Sequence, residues 1–265
     1  MKIFETHAHF DDVSYDEDRD ELLNEMLKED GIIEKIVNVG ASFKGCKDSI
    51  ELANKYENVY AAIGLHPEDI LSLNDEVMEW LRENSANKKV IAIGEIGLDY
   101  HYDEPPRDMQ IESFTKQLIL ASDLNLPVII HSRDACKDTI DILSNTKNSN
   151  GEYAYKTGGI IHCYSYSWEA CKEFLKLGYY IGVGGVVTFK NSKKLKEVVK
   201  YLPLEKLVVE TDSPYMAPEP HRGTRNDSRN IRFVAEKIAE IKGITPQEVI
   251  DITNLNAKKL FNIKD

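Results

Sequence analysis

The stretch "FETHAHFDD" places His7 and His9 two positions apart at the end of an apolar run. In an extended chain residues i and i+2 share a face, so both imidazoles point the same way. Such a pair suits a divalent cation, and it equally suits two polar residues that close a strand. The same residue types recur at the ends of later apolar runs. His66 closes "VYAAIGLHP", Glu95 lies in "VIAIGEIGLD", His131 in "PVIIHSR", His162 in "GGIIHCYS" and Asp212 in "KLVVETDSP". Five of the seven histidines therefore sit at run ends, together with two carboxylates.

Carboxylates converging in a buried place need a compensating charge, and a metal centre supplies it. Mixed nitrogen and oxygen ligands suit Zn²⁺, Mn²⁺, Fe or Ni. The six candidate ligands His7, His9, Glu95, His131, His162 and Asp212 are too many for one tetrahedral ion that keeps an open position. Two ions sharing a carboxylate use them economically. Glu95 comes from the fourth run, between the His7–His9 pair and the histidines of the fifth and sixth, which makes it the natural bridge.

The elements that position these residues are legible as a repeat. Eight runs rich in Ile, Val and Gly occupy residues 2–9, 34–40, 59–67, 90–99, 127–133, 158–165, 179–185 and 206–214. Near-continuous apolarity fits parallel strands covered on both faces. Between them lie amphipathic stretches such as 16–31, 108–125 and 230–243; in the second, Ile111, Phe114, Leu118 and Ala121 form one stripe. Gly31, Gly178 and Gly243 stand where helix C-caps belong, and "TPQEVIDIT" offers Thr245 as N-cap with Pro246 at the first helical position. Eight βα repeats in a chain of this length predict an α/β fold of the TIM (β/α)8 barrel type, a single domain over 1–265. The alternative, an open doubly wound sheet, usually carries a glycine-rich turn after its first strand, and "HAHFDD" is nothing like one. Barrel enzymes gather their chemistry at the C-terminal rim of the strands, where this set of residues falls.

Bulk properties narrow the function classes. The formal charge of −12 argues against a global electrostatic grip on nucleic acid or an anionic membrane. Cys46, Cys136, Cys163 and Cys171 show no CxxC spacing and read as reduced thiols of a cytoplasmic protein. The acidic N-terminal stretch does not read as a signal peptide, and no apolar run approaches the ~20 residues of a membrane span. A monomer is expected.

With "THAH", "GLHP", "GEIGLDY", "PVIIHSR", "HCYS", "ETDSP" and "RGTRN" in this order, the chain resembles the TatD family of metal-dependent deoxyribonucleases, within the amidohydrolase-like barrel superfamily. The resemblance covers essentially the whole chain. It implies two divalent ions (Mg, Mn, Zn, Ni or Fe), one held by His7, His9, Glu95 and Asp212 and the other by Glu95, His131 and His162. It also implies phosphodiester cleavage in DNA by a metal-activated water that Asp212 orients or deprotonates. Arg133, His66, Arg222 and Arg225 are the implied phosphate contacts, with His66 also able to assist the leaving group. Related amidohydrolases often bridge their metals with a carbamylated lysine; the fourth run holds no lysine, so none is expected.

Two departures from the family pattern are Glu5, where relatives usually have aspartate, and Asp227–Ser228 after Asn226, where many have Glu and Pro. Alternation places Glu5 inside the barrel one layer below His7, and Glu210 at the same depth below Asp212. Both are expected to support the ligands, the alternative for Glu5 being a carboxylate tied up by nearby backbone or lysine. The same alternation turns Cys163 toward the helices. Tyr164, Tyr166 and Trp168 either stack on a base or cap the barrel edge, and Gly182, Gly184 and Gly185 either admit substrate or permit close packing.

The leading expectation is a deoxyribonuclease acting on DNA ends or single strands, in transient contact with its oligonucleotide substrate. Hydrolysis of a small amide, lactone or aminoacyl substrate at the same centre is the alternative. A non-catalytic metal-dependent binding protein ranks third, because no ligand position is lost.

Overall fold

In the computed structural model, which describes residues 2–264, eight parallel strands pair in chain order. They are β1 (Ile3–Ala8), β2 (Ile33–Val39), β3 (Val59–Ile63), β4 (Val90–Asp99), β5 (Val128–Arg133), β6 (Gly159–Ile161), β7 (Tyr180–Val183) and β8 (Leu207–Val209). The ring closes just above β8. Ala8 bridges Ser213, Asp212 N–H donates to His7 O at 3.0 Å, and His9 N–H donates to Ser213 O at 2.8 Å. This is the predicted TIM barrel.

Helices α1 (Arg19–Leu27), α2 (Phe43–Lys55), α3 (Asp75–Asn84), α4 (Arg107–Asp123), α5 (Cys136–Asn145), α6 (Trp168–Lys176), α7 (Lys193–Tyr201) and α8 (Ile231–Lys242) follow the strands in turn, and α9 (Pro246–Leu260) completes the chain. None among the described residues is long and apolar enough to cross a membrane. Thr245 caps α9 in a reciprocal capping box with Glu248, and Pro246 stands at its start as expected. Gly243 ends α8 at φ 69°, and Gly178 follows α6 at φ 91°.

Gly31 is a correction. Helix α1 ends at Leu27, and Gly31 lies beyond it in a turn that packs onto the helix, where a β-carbon would come within 2.2 Å of Met26 O. Its role is close approach rather than a left-handed cap.

Two apolar layers sort the strand residues. The larger lies between strands and helices and includes Ile36, Ile63, Ile93, Ile130, Ile161 and Ile181 with Leu23, Leu81, Phe114 and Phe174. The smaller fills the barrel with about one side chain per strand: Phe4, Val37, Ala62, Ala92, Ile129, Ile160, Tyr180 and Val208. Ala257 of α9 and Phe261 just after it plug its lower end. The stripe on α4 is confirmed at Phe114, Leu118 and Ala121, which are fully buried, while Ile111 is only half-buried.

The lumen residues set the phase from which the polar rim is counted. In β5 and β6 the count is regular, so Ile129 leads to His131 and Ile160 to His162. In β1 and β4 it is not. Phe4 lies in the lumen, yet so do His7 and His9, and the pairing with β2 shifts register between Glu5 and Ala8. Ala92 lies in the lumen, yet so does Glu95, and the pairing with β5 shifts between Ile93 and Ile96. Each irregularity exchanges the two faces of the strand at the height of the rim.

Candidate metal centre

Above the apolar plug, imidazoles and carboxylates converge from several strands. His7 Nε2 and His9 Nε2 lie 3.1 Å apart, and both approach Glu95 Oε2, at 3.4 and 3.8 Å, and Asp212 Oδ1, at 3.8 and 3.5 Å. His9 Nδ1 is bonded to Val39 O at 2.7 Å, which directs Nε2 into the centre. The other oxygen of Glu95 faces the opposite side. Oε1 lies 2.8 Å from His131 Nδ1, 3.7 Å from His162 Nε2 and 3.9 Å from His66 Nε2.

These residues fit a metal. Ligand nitrogens around a tetrahedral ion with bonds of ~2.0–2.1 Å stand about 3.3 Å apart, close to the spacing of the His7, His9 and Glu95 donors. Three groups bring their donor atoms within 4.8 Å of one another: His7–His9–Glu95, His7–His162–Asp212 and His66–Asp99–His131. His7 and His9 gather at Glu95 Oε2 and His131 at Oε1. His162 sits between the two halves, its Nε2 3.7 Å from Glu95 and 3.6 Å from Asp212, with its ring stacked on His7 at 3.5 Å.

The electrostatics call for cations. Burial opposes charge on His9, His131 and His162, yet neighbouring carboxylates lift them to about 9, about 9 and about 10. Asp212 acts on the first, Asp99 and Glu95 on the second, and Glu210, Glu95 and Asp212 on the third. Burial likewise opposes ionisation of Glu95, but His162 and His7 hold its carboxyl well below the usual range. Protons on the histidines balance these carboxylates in the free protein, and metal ions would take their place. His66 differs: burial lowers it to about 4, so its imidazole is neutral. Its Nδ1 accepts from Glu68 N–H at 3.2 Å, which leaves the proton on Nε2, facing the centre.

Supporting carboxylates are present, though not all where alternation placed them. Glu210 lies in the lumen with Oε1 3.1 Å from His162 Nδ1 and accepts from Cys163 N–H at 2.6 Å. Gly182 makes room for it, since a β-carbon there would come within 2.4 Å of Glu210 Oε2. Asp99 was missed. It is two steps beyond Gly97 on the inward face of β4, and its Oδ2 lies 2.8 Å from His131 Nε2, so the His131 ring spans two carboxylates. Its signal was the i+4 spacing from Glu95 within "GEIGLDY".

Glu5 is a correction. Opposite Phe4, it faces away from the lumen, where its carboxylate accepts from Thr211 N–H at 2.9 Å, Thr211 Oγ1 at 2.7 Å and His7 N–H at 3.1 Å. It touches no ligand imidazole; it ties β1 to the segment after β8. Cys163 is another correction. β6 ends at Ile161, Cys163 adopts φ 44°, and the residue lines the mouth of the centre rather than the helix layer.

The arginines divide. Arg133, half exposed, lines the cavity, with Asp99 at 4.0 Å and the Tyr102 ring at 5.6 Å from its guanidinium. Arg225 does not reach it. Its guanidinium is bonded to Asp18 at 2.8 Å and to Ser14 O at 2.6 Å, and stacks over Tyr15. Arg222 lies over the Phe189 ring at 4.3 Å and lines no part of the cavity. Asp227 caps the next turn and clamps Arg229, so the departure after Asn226 is a structural device. Tyr166 and Trp168 take the capping role, whereas Tyr164 also lines the cavity. Tyr164 is buried against Phe174, Tyr166 Oη bonds Ser132 Oγ at 2.9 Å, and Trp168 packs on Tyr201. Gly182 and Gly185 serve close packing.

Comparison with known proteins finds likenesses over nearly the whole chain. The model of the family described as TatD related DNase matches residues 4–262. The metal-dependent hydrolase YabD of Bacillus subtilis strain 168 is 45% identical over 261 residues, covering 98% of this chain and 99% of its own. The metal-dependent hydrolase YcfH of Escherichia coli K12 is 37% identical over 267 residues, covering 99% and 97%. Among solved structures, the TatD homolog YjjV of Escherichia coli K12 superposes with a TM-score of 0.89 at 31% identity, over 99% of this chain and 98% of that one. An amidohydrolase of Saccharomyces cerevisiae, at 20% identity and a TM-score of 0.85, shares the fold.

Proposed function

The chain belongs to the TatD-related family of metal-dependent hydrolases, and from that premise we propose that it cleaves phosphodiester bonds in DNA, at ends or in single strands, at a centre of two divalent ions. The observation that carries this reading is the division of Glu95, with Oε2 toward His7 and His9 and Oε1 toward His131 and His162. One ion would be held by His7, His9, Glu95 and Asp212, and the other by Glu95, His131 and His162. Bound there, such a pair supplies Lewis acidity and lowers the pKa of water at the site.

The chain's own residues account for the remaining steps. Asp212, kept ionised by His162 and His9 despite its burial, is placed to orient the attacking water and accept its proton. His66, neutral and with its proton on Nε2, donates a hydrogen bond to a phosphate oxygen or the departing oxygen. Arg133 holds the phosphate from the β5 side. Asp99 fixes the ring of His131, and Glu210 lies beside that of His162. Besides Glu95 and Asp212, four carboxylates, Asp11, Asp12, Glu68 and Asp69, share the cavity lining with that single arginine. This favours transient engagement of a short stretch of strand, and it also keeps a small neutral amide or lactone as the second reading.

The test is incubation of metal-loaded protein with labelled single-stranded DNA, an aryl phosphodiester and a panel of amides and lactones, with and without chelator. Cleavage of both phosphodiesters, abolished by chelator and reduced at least a hundredfold in Glu95→Ala, is the expected result. Turnover confined to the amide or lactone panel would replace the deoxyribonuclease reading with the second one.

A further inference from the structure

The cavity over the centre, about 710 Å³, has unlike sides. Beyond His131 lies Arg133, the only lysine or arginine in its lining. Beyond His9 lie Tyr215 and Met216, large apolar side chains that are 54% and 46% exposed and line the cavity beside Val186. Leaving such surface in water at the mouth of a polar site is unfavourable unless something covers it during function.

The surface is held in place. Tyr215 Oη donates to Asp12 Oδ2 at 3.1 Å, its N–H donates to Asp212 O at 2.8 Å, and its carbonyl accepts from Asn226 Nδ2 at 2.8 Å. Met216 is fixed at φ 51°, with its carbonyl against Gly185, where a β-carbon would come within 2.1 Å. The Tyr215 ring centroid is 6.2 Å from that of His9. A flat group laid on this ring therefore lies one nucleotide unit or less from the ligands. Asp11 and Asp12 border the same side and repel a phosphate there, so the occupant is a neutral ring. A pinned aromatic loses little freedom when a ring stacks on it.

We propose that Tyr215 and Met216 form a shelf for the nucleobase attached to the phosphodiester under attack, on the side of the centre away from Arg133. This rests on the phosphodiesterase reading and adds to it the residue that separates nucleoside esters from simple alkyl phosphodiesters. Position 215 determines specificity.

Thymidine 5′-(p-nitrophenyl phosphate) and methyl p-nitrophenyl phosphate share a leaving group and differ in the nucleoside that replaces the methyl group. With manganese-loaded protein, the ratio of kcat/KM for the thymidine ester to that for the methyl ester is expected to fall about tenfold in Tyr215→Leu, through KM, and to persist in Tyr215→Phe. Equal loss on both esters, or no change of the ratio, would overturn the shelf, as would a wild-type protein that does not discriminate between them. A second arm is independent of turnover: 2-aminopurine riboside 5′-monophosphate should be quenched on binding to wild type and bind about tenfold more weakly to Tyr215→Leu. Should neither ester be hydrolysed, the phosphodiesterase reading falls alone, and equal binding of the aminopurine nucleotide to both proteins decides against the shelf.

Discussion

Two charged stretches follow β8, and their side chains face in different directions. Residues 210–216 send Glu210 to His162, Asp212 to His7 and His9, and Tyr215 to the cavity wall. Residues 221–232 hold four arginines and send none of them there. Arg222 lies on Phe189, Arg225 on Asp18 and Tyr15, Arg229 on Asp227 and Glu25, and Arg232 on Phe233. The first stretch is still fastened to the barrel by backbone bonds from Asp212 to His7 and from His9 to Ser213, which aim its side chains inward. The second has left the rim and packs over α1 and the helix layer. Distance from the last ladder bond decides which charges face the cavity. Local charge density does not.

The largest effect that tests this contrast belongs to the first stretch. Asp212→Asn keeps the shape of the side chain but removes the proton acceptor and one negative ligand. Activity on a chromogenic phosphodiester is expected to fall by about two to four orders of magnitude, the usual scale for a lost general base. The melting temperature should move by only a few degrees, because fewer carboxylates then share the buried centre. Substantial activity in a folded, metal-loaded Asp212→Asn protein would remove residues 210–216 from the chemistry and break the comparison.

Arg225→Ala should give the opposite signature. Its pair with Asp18 is about one-third exposed on both sides, so screening limits its worth. Loss of the pair and of the stacking on Tyr15 is expected to cost about 1 kcal/mol, or roughly 2–4 °C in thermal unfolding for a domain of this size. kcat and KM on an oligonucleotide should stay within about twofold. A tenfold rise in KM with unchanged stability would return Arg225 to the phosphate contacts that its family motif suggests.

The same distinction explains what the sequence made legible. His131 and His162 were readable because β5 and β6 run regularly from a lumen residue to the rim, so a period of two carries through. His7 and His9 share a face, as their spacing requires, but counting back to Glu5 fails because the β1–β2 pairing shifts register between Glu5 and Ala8. Register belongs to a pair of strands, and one strand's residues do not record it. Glu95 would fall outside by strict count from Ala92; the shift between Ile93 and Ile96 brings it in. Cys163 was misplaced for a related reason. Alternation was carried past Ile161, where the ladder ends and a left-handed residue begins. Runs read as strands to residues 67, 165 and 214 end in the ladder at Ile63, Ile161 and Val209, so the motifs "GLHP", "HCYS" and "ETDSP" lie in loops just above it. The barrel was predictable from eight repeats, whereas the direction of each rim side chain depended on these local breaks.

Arg222→Ala is the smallest and most discriminating change. The side chain is exposed and lies over the Phe189 ring, a contact worth ~0.5–1 kcal/mol at an exposed site. Stability should therefore change by less than about 1 kcal/mol. The informative measurement is the dependence of oligonucleotide binding on salt. Each phosphate neutralised on a single strand contributes about −0.7 to the slope of log K against log salt. Removing a side chain that meets no phosphate leaves that slope unchanged, whereas Arg133→Ala should make it shallower by about that amount. If the two variants shifted the slope equally, residues 221–232 would lie on the path of the strand, and the contrast between the two stretches would be one of distance along the substrate rather than of structure against function.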